Sequence, residues 1–444
     1  MTTGDRPPLA DVDTPASHAV VNAETVLPEP ELGQVPGASE KPPAGGRRNN
    51  RKRRRKRRRP VYAAGVAANN PADQTLPASS NIPSPAGEPS RPWSNSTNSN
   101  ARNGAPVYAA LDLGTNNCRL LIAAPRDNGF RVVDAYSRIV RLGEGIGDSG
   151  RLAEPAMHRS IEALKVCSAK LAGRNVASAR LIATDACRTA ANGQEFVERV
   201  RRETGLTLEI ISRETEARLA VAGCASLVDQ QARGVILFDI GGGSSEIVWI
   251  DLATNFSKPR RKIVEHIRNW MSLPVGVVNV SERHGGRHVT PDLFETMVGE
   301  VVQMLASFPE VEALDQTVAS GGVDMLGTSG TVTTLAGLHL QLPRYDRRRV
   351  DGIWLSGDRV AELVTELVAM DYPARVASPC IGRERADLVL AGCAILEAFR
   401  RRWPCERLRV ADRGLREGVL VELMGDDKIS RRRSRRGAGR RHHE

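Results

Sequence analysis

The sequence predicts an α/β protein made of two similar lobes around a central cleft. Three observations carry this expectation. From residue 107 onward, short apolar runs of strand character alternate with longer stretches of helical period. The segment Leu111-Asp112-Leu113-Gly114, small polar residues and an apolar run over 118–124 returns as Phe238-Asp239-Ile240-Gly241, small polar residues and a run over 246–250. Such repetition of one strand–turn–strand unit marks a duplicated architecture whose two turns face each other. The length of 444 residues suffices for two domains of ordinary size with tails.

The elements follow in order. Residues 107–112, 118–124 and 131–140 read as strands. From Pro155 to Leu171, Met157, Ile161, Leu164 and Leu171 share one helical face, and Pro155 suits a first turn. A strand over 179–184 precedes a helix beginning at Asn192, where Asn192 and Glu195 suit a capping box. A strand over 207–211 leads into a helix over 213–227. Strands over 234–239 and 246–250 form the second copy of the repeat. These runs place a first lobe at 107–219 and a second at 220–427. Residues 1–106 are rich in Pro, Ser, Asn, Gly and Ala without apolar period, and 428–444 are basic, so both are expected to be disordered tails.

Charge is unevenly spread. The net charge is +11, yet the run 47–59 (RRNNRKRRRKRRR) alone holds eleven positive charges, so the block 107–427 is close to neutral. The high pI therefore describes the tails rather than a basic active site. No segment reaches the ~18 apolar residues that a membrane helix needs, and the polar N-terminus has no signal-peptide pattern. The seven cysteines are odd in number and form no CxxC pair, which fits reduced thiols and a cytoplasmic setting.

The chemistry-bearing residues cluster at turns. The first turn offers Asp112, Gly114, Thr115, Asn116 and Asn117. The second offers Asp239, Gly241, Gly242, Gly243, Ser244, Ser245 and Glu246. Glycines let successive backbone N–H groups approach an anion, and hydroxyl and amide side chains add donors. An Asp at each strand end suits Mg²⁺, which takes few carboxylates and keeps several waters. A third small-residue turn, Gly327-Thr328-Ser329-Gly330-Thr331, opens a helix whose N–H groups favour phosphate. Arg188 follows a strand, and a guanidinium binds phosphate in bidentate fashion. Read blindly, the mixed charges of 213–218 are an ion-paired helix surface.

The ordered motifs LDLGTNN, ATDACRTAANGQEF, IISRETEARL, FDIGGGSSEIVWI, SLPVGVVNVSE, GTSGT and DRGLREGVL resemble those of the exopolyphosphatase and guanosine pentaphosphate phosphatase family. The resemblance covers about 107–425. It implies two actin-like ATPase (ribonuclease H-like) lobes and hydrolysis of phosphoanhydride bonds. Carried over by position, it makes Glu216 the base that activates water, with Glu246 helping to position it. Asp239 and Asp112 then become metal-shell residues and Arg188 a phosphate ligand. Mg²⁺ is the implied ion, with Mn²⁺ an alternative. Polyphosphate is the implied substrate and guanosine pentaphosphate the alternative within the family. A sugar kinase of the same superfamily is a further alternative, disfavoured by the ISxxxEAR motif. So is a silent polyanion binder, disfavoured by retention of all four carboxylates. Three departures stand out. The sequence stops soon after LREGVL, so a C-terminal helical domain of longer members is expected to be absent. Asn279 stands where an Arg is common, and Arg413 where a small residue is. The basic run is expected to bind polyanions such as polyphosphate or RNA non-specifically. No membrane partner is expected, and family members are often homodimers.

Overall fold

The computed structural model describes residues 106–127, 129–253 and 260–425. But for Pro106, the expected tails and the 47–59 run lie outside the described residues. The first sheet contains β1 (Val107–Leu113), β2 (Asn117–Arg126), β3 (Gly129–Ile139), β4 (Val176–Ala183) and β5 (Glu209–Ile210), in the order β3-β2-β1-β4-β5. The first three strands are antiparallel neighbours, while β4 and β5 run parallel to β1. The second sheet contains β6 (Gly234–Ile240), β7 (Ser245–Asp251), β8 (Ile267–Leu273), β9 (Val323–Thr328), β10 (Trp354–Ser356) and β11 (Arg407–Ala411). Its order, β8-β7-β6-β9-β11 with β10 at the edge, repeats the first sheet strand for strand. This is the duplicated, two-lobed α/β fold that the sequence predicts.

Each lobe buries its own apolar face. In the first, Ile161, Leu164, Cys167 and Leu171 of the Glu154–Ala172 helix and Phe196, Val197 and Val200 of the Gly193–Thr204 helix cover Leu111, Leu113, Leu120 and Ile122. In the second, Val298 and Val301 of the Pro291–Leu305 helix and Leu390, Ala394 and Phe399 of the Val389–Arg402 helix pack on Phe238 and Ile247. Phe238 meets Phe399 edge to face at 5.5 Å, a favoured aromatic geometry. Six of the seven cysteines are buried and the seventh, Cys405, is half-buried.

Two helices join the lobes. The Arg213–Cys224 helix sets Ala217, Ala220, Val221 and Cys224 against the second sheet. Leu219 of the same helix joins Leu415, Val419 and Leu420 of a helix over 415–425 on the outer face of the first sheet, against Tyr108, Ala110 and Ile182. The two helices meet backbone to backbone. A Cβ added at Gly223 would stand 1.9 Å from the Gly414 carbonyl oxygen, and one at Gly418 would stand 2.0 Å from that of Leu219. Only glycine permits this approach.

Some local expectations are corrected. Asn192 is the N-cap of its helix but forms no capping box. Its side chain accepts from the Leu152 N–H at 2.7 Å and donates to the Leu152 carbonyl at 3.1 Å. A buried amide gains more from this two-way bond than from one helical N–H. The strand expected over 207–211 shrinks to Glu209–Ile210, and the helix expected to reach 227 ends at Cys224 with a 3₁₀ turn over Ala225–Leu227. Arg413 faces no cleft. It grips Asp351 through two guanidinium nitrogens and donates to Ser226 at 2.9 Å, which fixes the entry to the last helix.

Candidate active site

The two turns of the repeat meet between the lobes around a cavity of about 130 Å³, with room for several waters. Asp112, Gly114, Thr115, Asn116 and Asn117 line one wall, and Asp239, Gly241, Gly242, Gly243, Ser244 and Glu246 the other. Ser329, Gly330 and Thr331 close a third side, and Glu216 enters from the crossing helix. The approach of the lobes is tight. A Cβ at Gly242 would lie 2.9 Å from Cβ of Thr115 and 3.1 Å from the Asn116 nitrogen, so glycine is needed there.

Strand register explains which side chains reach the cavity. In β1–β2, Asp112 pairs with Arg119, and in β6–β7, Asp239 pairs with Glu246. Cross-strand partners share a sheet face. The same step of seven residues thus delivers an arginine from one lobe and a glutamate from the other. Glu216 sits in the first turn of its helix, which Ser212 caps by accepting from the Thr215 N–H at 3.1 Å. Arg188 does not line the cavity. It stands behind Glu216, donating to Oε2 at 3.0 Å and to the Ile211 carbonyl at 2.9 Å, so it orients the carboxylate. Among the described residues, Glu216 Oε1 has no hydrogen-bond partner.

The electrostatics are those of crowded, desolvated acids. Burial raises Glu216 well above the usual carboxylate range and nearby Glu246 adds to it, with Arg188 opposing. Glu246 is pushed up to about 7 by burial and by Asp239, although Ser244 and Ser272 donate to its Oε1 at 2.8 and 2.9 Å. Burial raises Asp112 to about 6 against the pull of Arg416 and Arg119. It also raises Asp239, opposed by the Ser329 hydroxyl, which donates to Oδ1. Ser329 holds φ at 75°, a left-handed conformation costly for a non-glycine residue, so the third turn stores strain where it meets the cleft. Of the buried polar atoms that lack partners among the described residues, two belong to residues singled out for the site: Asn116 Oδ1, an acceptor, and Arg188 Nε, a donor.

Besides Arg188, two expected positions do not reach the cavity. The Ser245 hydroxyl donates to the Val275 carbonyl at 2.7 Å. Gly327 is a packing glycine, since a Cβ there would lie 2.5 Å from the Phe238 ring. Asn279, which stands where an Arg is common, is tied to the backbone beside the second turn. It accepts from the Gly276 N–H at 2.7 Å and donates to the Gly243 carbonyl at 2.8 Å, bracing the second turn. Thr184, Asp185, Arg119, Thr334 and Arg385 line the cavity without having been singled out in the sequence. The repeat itself could have identified Arg119, which occupies the place of Glu246; no spacing signals Arg385.

A family model described as the Ppx/GppA phosphatase family matches residues 121–427. The chain belongs to the Ppx/GppA phosphatase family. Within it, exopolyphosphatase 2 of Mycobacterium tuberculosis is 28% identical over 333 residues, covering 71% of this chain and 98% of that protein. A guanosine-5'-triphosphate,3'-diphosphate pyrophosphatase of Aeromonas salmonicida is 28% identical over 325 residues, and this chain spans only 60% of its length. Among solved structures, the Aquifex aeolicus Ppx/GppA family member superposes with a TM-score of 0.59 at 28% identity, covering 72% of this chain and 98% of that one. An exopolyphosphatase from Cytophaga hutchinsonii shares the fold with a TM-score of 0.62 at 24% identity, over 72% of this chain and 98% of its own.

Proposed function

We propose that this protein is an exopolyphosphatase, hydrolysing the terminal phosphoanhydride bond of polyphosphate and releasing orthophosphate. The observation that carries the reading is Glu216, braced by Arg188 on one oxygen and open on the other, at the mouth of three turns rich in N–H groups. Phosphoryl transfer asks a protein mainly for positioning and charge neutralisation. The turns at Gly114–Asn117, Gly241–Ser244 and Ser329–Thr331 hold the terminal phosphate by backbone and hydroxyl donors. Glu216 Oε1 accepts the proton of a water aimed at phosphorus, and its raised pKa makes it a stronger base than an exposed carboxylate. Glu246, fixed by Ser244 and Ser272, orients that water.

The donor set also fits Mg²⁺. Among the described residues, no group of three or more His, Cys, Asp or Glu could hold a metal ion by itself. Mg²⁺ needs only one or two carboxylates, completing its shell with water and substrate phosphate. Asp112 and Asp239 would hold it, and the orphaned Asn116 Oδ1 would accept from one of its waters. When bound, it would neutralise charge on the phosphate oxygens. Mn²⁺ would suit the same ligands.

Guanosine pentaphosphate is the second reading, supported by relatives named for that activity. Polyphosphate ranks first because this chain covers 98% of the relative named exopolyphosphatase 2 but 60% of the Aeromonas protein. The test is phosphate release by the purified chain from long polyphosphate, tripolyphosphate and guanosine pentaphosphate. Release from both polyphosphates is expected, abolished by EDTA and restored by Mg²⁺. Turnover of guanosine pentaphosphate alone would reverse the order, and release undiminished by EDTA would remove the metal.

The eleven positive charges of 47–59 support a second contact, a non-specific tether for polyphosphate or RNA. Deleting residues 1–106 should raise KM severalfold for long polyphosphate, more at low salt, and leave KM for tripolyphosphate unchanged. Equal effects on both substrates would reject the tether.

A further inference from the structure

The lobes are linked covalently through the Arg213–Cys224 helix and the passage over 411–414, yet they also touch where no chain crosses. Arg141, just after β3, sends Nη1 to Asp387 Oδ2 at 3.0 Å and Nη2 to Asp387 Oδ1 at 3.1 Å. Nη2 also donates to the Glu384 carbonyl at 3.2 Å. Both partners belong to the second lobe. Nearby, the Gly145 N–H of the first lobe donates to Glu282 Oε1 at 3.0 Å. The ion pair is only part-exposed, with side-chain exposures of 31% and 20%. A bidentate guanidinium–carboxylate pair of this kind fixes direction as well as distance.

Both ends of the pair are anchored to site machinery. On the first lobe, the Val140 and Arg141 N–H groups donate to the Asn116 carbonyl at 2.9 and 3.0 Å, and the Gly143 N–H donates to the Thr115 carbonyl at 2.9 Å. The segment 140–143 therefore forms the floor of the first turn. Arg159 holds it from behind, donating to the Val140 carbonyl at 2.9 Å. Arg141 itself has φ of 47°, a conformation that a non-glycine arginine keeps only when its surroundings impose it. On the second lobe, Ser281 donates to the Asp387 carbonyl at 2.7 Å, and the buried Arg375 donates to the Ala386 carbonyl at 3.0 Å. Leu388 and Val389, the next residues, line the cavity.

We propose that Arg141 and Asp387 form an interlobe clasp that positions the first turn, with Thr115 and Asn116, against the second-lobe turn for hydrolysis. Arg141 is thus a positioning residue, acting through Asn116 rather than on substrate. This inference rests on the phosphohydrolase reading for its kinetic consequence but not for its structural one. Small misplacements of binding groups cost rate out of proportion to stability.

The test compares Arg141→Ala, Asp387→Ala, the double variant and the reciprocal Arg141→Asp/Asp387→Arg in the full chain. With tripolyphosphate and Mg²⁺, each single variant should lose about tenfold in kcat/KM, mainly in kcat. The double variant should lose no more than a single one, as expected of residues acting as one unit, and the reciprocal exchange should recover activity. Independently of activity, amide hydrogen exchange at Val140, Arg141 and Gly143 should quicken in the single variants and slow again in the exchange. Amides of β1 and β6 should not change. Multiplicative losses in the double variant, or unaltered exchange at 140–143, would overturn the clasp. If the wild-type chain releases no phosphate from tripolyphosphate, the hydrolase reading falls, and the exchange measurement alone still decides the clasp.

Discussion

Glu216→Gln is expected to reduce phosphate release by roughly 10³-fold, the range seen when a general base is removed, with no loss of fold. Glutamine keeps the size and the acceptor that Arg188 Nη1 uses at 3.0 Å, but it cannot take a proton from water. The fold should tolerate the change because Glu216 is destabilised as a carboxylate, through burial and through Glu246. Steady-state phosphate release together with the thermal melting curve checks both halves. A folded variant that keeps a tenth of wild-type activity would remove Glu216 from the role of base.

Glu246→Gln separates stability from chemistry. Glu246 is 2% exposed and its pKa rises from 4.5 to about 7. A carboxyl whose folded-state pKa is raised contributes stability that is fully present below the ordinary value and is lost as pH rises through the folded value. At pH 8 without metal, the wild type should lack on the order of 3 kcal/mol that the glutamine variant retains, at 1.36 kcal/mol per unit. Near pH 4.5 the two should melt alike. Removing the charge beside Glu216 should also let that base ionise at lower pH, moving the acid limb of kcat/KM downward. Activity should fall because the water loses its orienting acceptor. Melting curves in EDTA at pH 8 and pH 4.5 test the first claim; equal melting temperatures at pH 8 would defeat it. The apparent pKa of the acid limb tests the second.

Much of this site is legible from local pattern. Asp112 and Asp239 end buried strands before glycine-rich turns, and the repeat places both turns at one cleft. What the pattern misreads depends on contacts between distant segments. Asn192 has the residue type and spacing of a capping box, yet a backbone amide and carbonyl forty residues earlier claim its side chain. Ser245 looks like one more hydroxyl of the second turn, but strand alternation turns it toward Val275. Arg188 reads as a phosphate ligand and instead braces Glu216. Asp387 and Arg141 are ordinary charges 246 positions apart until the lobes close. Local propensity fixes the strands; which polar side chains bond each other is settled by packing.

The glycine-mediated crossing of the Arg213–Cys224 and 415–425 helices also bears on how the chain is made. During synthesis, the first sheet emerges early, but Tyr108, Ala110 and Ile182 on its outer face wait for Leu415, Val419 and Leu420, more than two hundred residues later. The second lobe can close its core before that last helix leaves the ribosome. A nascent chain halted ahead of Gly414 therefore presents a bare apolar sheet face, which is the kind of surface that chaperones hold and aggregates recruit.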